Sequence, residues 1–163
     1  TMDLDQVNHV EREPVLPIAF SLFHLAQIED GSVVMLGGPP MVYDATWAER
    51  MGLAIADHGK HRGVEEMVGQ RIGDYEAFRE YQRLVFAKTE SWLDRLDPSS
   101  LTEVVVARPF PPQITSTYSA RVAAEEGITR LDGIECWIYQ HGLRHMGEVE
   151  HARALVGLEG MTS

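Results

Sequence analysis

The chain has 163 residues, 44% of them hydrophobic and 24% charged, the proportions of one globular domain able to bury a sizeable core. Its 25 acidic residues outnumber 14 basic ones, for a formal charge of −11, and no basic run occurs. That balance excludes a nucleic-acid partner, whose phosphates demand clustered Lys and Arg. No stretch reaches the roughly 18–20 uncharged apolar residues of a membrane span, so no membrane role is expected. The acidic opening Thr1-Met2-Asp3-Leu4-Asp5 does not read as a signal peptide. Cys136 is the one cysteine, so no internal disulfide can form and a reducing cytoplasm is the expected location.

Four helical segments are predicted. The first runs from about Ile18 to Met35, after Pro14 and Pro17, and stops before the breaker cluster Gly37-Gly38-Pro39-Pro40. Its apolar face takes in Phe20, Phe23 and Ile28, with His24 on the side of Phe20 and Ile28. The second lies around Ala45 to Ala56, capped by Asp44. A glycine-punctuated stretch follows, whose His58 and His61 read as an exposed loop, with a lid as the alternative. The third starts at the N-cap Asp74 and carries a seam of Phe78, Gln82, Val85, Thr89, Trp92 and Leu96. It ends at Asp97-Pro98-Ser99-Ser100. The β-branched run from Leu101 to Val106 is a short strand or an extended crossover, and the prolines of Arg108-Pro109-Phe110-Pro111-Pro112 exclude helix there. The arginine of that segment is a candidate for holding a substrate anion at the edge of a pocket. The last helix spans roughly Ile128 to Val156 and ends near Gly157. The whole reads as a single all-α domain over 1–163, an up-and-down helical bundle with a long crossover before the last helix.

The chemistry concentrates in His141-Gly142-Leu143-Arg144-His145. A spacing of four puts both imidazoles on one helical face, within reach of one ion. The apolar positions Ile134, Trp137, Ile138, Val149, Ala152 and Val156 form a stripe that includes both rings, so they should face the core. Buried imidazole nitrogens require a hydrogen-bond partner or a metal. If the first and last helices are neighbours, His24 supplies a third nitrogen. Three neutral imidazoles with an open fourth position are the ligand set of a catalytic zinc, although nickel, iron or manganese suits the same nitrogens. Glu148, three residues after His145, is placed as an extra ligand or as support for one, and is the first choice for a catalytic residue. The bland alternative is a metal-free bundle whose histidines bond to carboxylates. Cys136 reads as a packed thiol, and His9 and His151 as surface residues.

The segment Phe23-His24-Leu25-Ala26-Gln27-Ile28-Glu29-Asp30 resembles the histidine-leucine-alanine element of the DinB-like superfamily. His141 through Glu150, followed by Leu155-Val156-Gly157-Leu158, resembles its closing element. The resemblance implies a four-helix bundle with one divalent metal ion, zinc or nickel, on His24, His141 and His145. It also implies a small-molecule substrate and a metal-dependent activity, thiol S-transfer with a low-molecular-weight thiol or hydrolysis. A non-catalytic metal-binding or interaction bundle is the alternative. Family members usually carry a full helix before the first histidine, whereas only about fifteen polar residues precede it here. Either the second segment takes that place, or a partner chain does, or a further helix lies outside this sequence. A homodimer is the expected remedy for the apolar groove left open.

Overall fold

The structure, a computed structural model, describes residues 2–12 and 15–159. Pro14, one of the two prolines expected to precede the first long helix, lies outside the described residues, as does Thr1. The elements in chain order are α1 (Leu4–Val7), α2 (Ile18–Met35), α3 (Ala45–Arg50), α4 (Val64–Met67) and α5 (Tyr75–Asp94), then β1 (Val104–Ala107), α6 (Pro112–Thr115), α7 (Tyr118–Val122) and β2 (Gly127–Thr129). The chain closes with α8 (Arg130–Gly133), a π-helical segment (Ile134–Tyr139) and α9 (Gln140–Leu155). The protein is thus mostly helical, with one small antiparallel ribbon in which Val106 pairs with Ile128 and Ala107 with Gly127. Among the described residues no helix is long and apolar enough to cross a membrane.

Helix α2 is the axis of the fold. Thirteen of its 18 residues are buried, on every side, as expected of a helix hydrophobic all round. It begins at Ile18 behind Pro17. It ends where Gly37, at φ +83°, turns the chain so that the Gly38 N–H donates to Val33 O (2.8 Å) and the Gly37 N–H to Val34 O (3.0 Å). That left-handed turn satisfies carbonyls the helix would otherwise orphan, and it explains why the Gly-Gly-Pro-Pro cluster stops the helix there. The same geometry closes α9, where Gly157 has φ +78° and the Leu158 N–H reaches Arg153 O at 3.0 Å.

Helix α5 is amphipathic and begins at Asp74, whose carboxylate accepts the Ala77 N–H at 2.9 Å. Phe78, Tyr81, Val85, Thr89 and Trp92 are buried against α2. Asp30 of α2 meets both Tyr81 and Lys88, and Val33 packs with Trp92, so α2 and α5 run in the same direction. Parallel neighbours need a long connection between them. Residues 36–74 provide it, in addition to the crossover that the sequence led us to expect before the last helix.

Within that connection the second expected helix is shorter than anticipated: Ala45–Arg50 is helical, and the chain then leaves helix well before Ala56. Two amide side chains hold the remainder, each pairing with a backbone on both its donor and acceptor sides. Gln70 does so with Ile55 (2.9 and 2.8 Å) and Asn8 with Ile72 (2.9 and 2.8 Å). Of the β-branched run, Leu101 and Thr102 end a 3-10 helix (Pro98–Thr102), and the strand begins only at Val104. The last helix is continuous from Arg130 to Leu155, but its middle is π-helical, and Gly133 lets it approach α2 closely. A Cβ at that glycine would stand 2.3 Å from Leu36 Cδ2.

Candidate metal centre

Helices α2 and α9 cross antiparallel and meet through polar side chains at their centre. On α2, Ser21 and His24 lie three apart, and on α9 so do His145 and Glu148, with His141 one turn earlier. All five face one another. His141 Nε2 is 3.3 Å from His24 Nε2 and 3.1 Å from His145 Nε2. One ligand atom from each of the three rings falls within 4.8 Å of the others, and each ring is half-buried. The three histidines singled out from spacing and apolar pattern are therefore brought together by the fold, His24 from a position 117 residues away from His141.

The far nitrogens set the chemistry of the near ones. His24 Nδ1 lies 2.5 Å from His58 O, and His145 Nδ1 lies 2.7 Å from Glu148 Oε2. A carbonyl or carboxylate facing Nδ1 requires a proton on that nitrogen, which leaves a lone pair on Nε2 of both rings. His141 Nδ1 is buried with no partner among the described residues, so nothing in the protein prevents its Nε2 from presenting a lone pair too. Burial holds the His24 pKa down to about 4 and that of His141 to about 3, with the neighbouring imidazoles adding to the effect. Both rings are consequently neutral near pH 7, the form that ligates metals.

Three inward lone pairs repel one another unless a proton or cation lies among them. Nitrogens bonded at about 2.0–2.1 Å to one tetrahedral ion stand about 3.3–3.4 Å apart, close to the separations found here. Two of the three separations are therefore those of imidazoles able to share one divalent ion, and the third ligand atom lies within 4.8 Å of the others.

Glu148 stands behind this cluster and not in it. Its Oε2 accepts from His145 Nδ1 and from Ser21 Oγ at 3.0 Å, the position of a residue that orients a ring. Ser21 and the carbonyl of His58 were not singled out from the sequence. Ser21 carried a signal, three residues before His24 on the same helical face. A loop carbonyl carries none.

The His58 loop lies against the site. Asp57 accepts from the Gly59 N–H at 2.9 Å and from Arg62 Nη2 at 2.6 Å, while Gly59 packs on Phe20. The His58 ring stands edge-on to that of His24, 6.4 Å between centroids. The arginine offered as a candidate for a substrate anion has other partners: Arg108 donates to the carbonyls of Ala120, Ala123 and Ala124 at 3.2–3.4 Å and lies over the Phe110 ring. Cys136 is buried and its thiol pKa is raised by that burial, as fits a packed side chain. His151 is exposed.

Two cavities flank α9. One, of about 280 Å3, lies between α9 and the segment before α2 and is lined by Ser21, Glu148 and His151 among others. The other, of about 510 Å3, opens between α2, α5 and α9 over Leu22, Leu25, Glu29, Phe86, Met146 and Val149.

No family model matches the sequence, and no curated protein matches it. Among solved structures the chain is similar to a crystal structure from Enterococcus faecalis described as a conserved protein of locus. The two share 18% identity at a TM-score of 0.72 over 96% of this chain and 85% of that one, a likeness of fold.

Proposed function

We propose that this chain is a DinB-like metalloprotein that holds one divalent ion, zinc or nickel, on His24, His141 and His145 and acts on a small molecule. The observation that supports this reading is the convergence of three Nε2 atoms with the outer nitrogens of two rings already committed to acceptors. In this reading the fold is an up-and-down four-helix bundle in which α3 and its connection stand in for one long helix. The flank left open between α5 and α9 is then covered by a second copy of the chain.

The ion supplies Lewis acidity, lowering the pKa of a thiol or water that reaches it, as metal-dependent thiol S-transfer and hydrolysis both require. The chain's own part is positional. The His58 carbonyl and the Ser21–Glu148 pair fix two rings, and burial keeps the imidazoles of His24 and His141 unprotonated. The interior position of α2 makes the site rigid.

The test is elemental analysis of protein purified without a histidine tag. About one equivalent of metal is expected for the native chain and a small fraction of that for His141→Ala. Metal content untouched by the substitution would refute the ligand assignment.

A further inference from the structure

We propose that the cavity between α2, α5 and α9 binds a small molecule made of an apolar chain and a primary ammonium group, the chain against Leu22, Leu25 and Met146 and the ammonium on the carboxyl of Glu29. This inference is independent of the metal reading, since none of the three histidines is among the described residues that line the cavity.

The cavity holds about 510 Å3, a size usual for small-molecule sites, and its walls are mostly aliphatic and aromatic. Leu22, Leu25 and Glu29 fall on successive turns of one side of α2. The lining therefore follows that helix for about 10 Å, the length of an extended octyl chain. Gly142 of α9 adds room, because a Cβ there would meet nothing within 4 Å. Among these apolar side chains Glu29 stands out. It is only 8% exposed, and carboxylates are almost never buried to that degree without a partner.

The two groups that act favourably on this carboxyl are engaged elsewhere. Thr89 lies beside it, but the Thr89 hydroxyl donates its single proton to Val85 O at 3.1 Å. Lys88 attracts it through space, while the Lys88 ammonium is bound to Asp30. Burial prevails over both and raises the Glu29 pKa above the ordinary carboxylate value. An ammonium entering the cavity supplies the charge and the donors that the carboxyl lacks. Arg153, also in the lining, makes no comparable demand for an anion. It is half-buried and donates to the Glu159 carbonyl at 3.1 and 3.3 Å. The charges thus favour a cation over an anion. A second copy laid across the same flank would roof the cavity and leave Glu29 in its wall.

The experiment is isothermal titration calorimetry of the tag-free chain at neutral pH with octylamine, octanol and octanoate, which share a chain and differ in the head group. Octylamine is expected to bind about tenfold more tightly than octanol, the scale of a hydrogen bond between charged groups, and octanoate more weakly than either. Glu29→Gln keeps the shape of the side chain and removes its charge. In that variant octylamine and octanol should bind within about twofold of each other. Gly142→Leu fills the cavity from α9 and should weaken all three ligands by about tenfold. Equal affinity of the native chain for octylamine and octanol, or a preference that survives Glu29→Gln, overturns the proposal. So does binding untouched by Gly142→Leu, or no binding at all, which would mean that a second copy or a further segment of the chain fills the cavity. Should Glu29→Gln fail to fold, the order of the native affinities and the Gly142→Leu result decide. None of these outcomes bears on the metal assignment, which elemental analysis tests separately.

Discussion

The behaviour of single residues at the site follows from which nitrogen each imidazole commits. Glu148 accepts from His145 and Ser21 at 2.7 and 3.0 Å, and so fixes a ring whether or not it would touch an ion held there. Replacing it by glutamine keeps the shape but weakens the acceptor. Glu148→Gln is expected to lower metal affinity by about 10–100-fold, measured by competition with a chromophoric chelator, while the urea midpoint of the metal-free protein moves little. Affinity unchanged by the substitution would show that the contact does not orient His145. The buried rings also set a pH dependence. The pKa values of His24 and His141, about 4 and about 3 when folded, lie below the ordinary imidazole value of about 6.5. Between these values the unfolded chain binds more protons than the folded one. Stability of the metal-free protein is therefore complete above about pH 6.5 and is lost progressively as pH falls toward the folded values. Urea unfolding at pH 7.5 and pH 5.0 checks the sign: a midpoint higher at pH 5.0 would contradict the burial of neutral rings.

At the scale of elements, the junction between α2, α5 and the connection after α2 depends on one carboxylate. Asp30 is fully buried and accepts the N–H of Val42 at 3.0 Å and of Tyr43 at 2.9 Å, the Tyr81 hydroxyl at 3.3 Å, and the Lys88 ammonium. Asp30→Ala leaves Lys88 and two backbone donors without their acceptor. It is expected to cost about 3–5 kcal/mol in chemical denaturation, the range for breaking a buried ion pair. A cost below about 1 kcal/mol would mean that water replaces the carboxylate. The elements differ in how far the sequence disclosed them. The ends of α2 and the start of α5 were legible because Pro17, the Gly37-Gly38 pair and Asp74 act on their own neighbours in the chain. Ser21 was legible in principle, and His24, His141 and His145 were legible because polar residues on apolar faces demand partners. What remained hidden depends on contacts between distant segments. The π-helical turn before His141, the parallel course of α5 and the His58 carbonyl on His24 leave no local pattern. Gln70 and Asn8 pair with backbone 15 and 64 residues away.

For the molecule as a whole, the flank between α5 and α9 leaves apolar side chains open to solvent. Phe86 and Met146 are 38% and 46% exposed there, lining a cavity of about 510 Å3. Light scattering at micromolar concentration is expected to give twice the 18.3 kDa of one chain, and Met146→Glu to shift that mass toward the single value. A native chain that remains single at that concentration would leave the second-copy proposal without support. The partners His24 and His141 lie 117 residues apart in the sequence. An ion shared by them is a removable cross-link that closes most of the polypeptide into one loop. On the chain-entropy scale a covalent closure of about that length is worth about 4–5 kcal/mol. A chelator would then do to this protein what a reductant does to a secreted one.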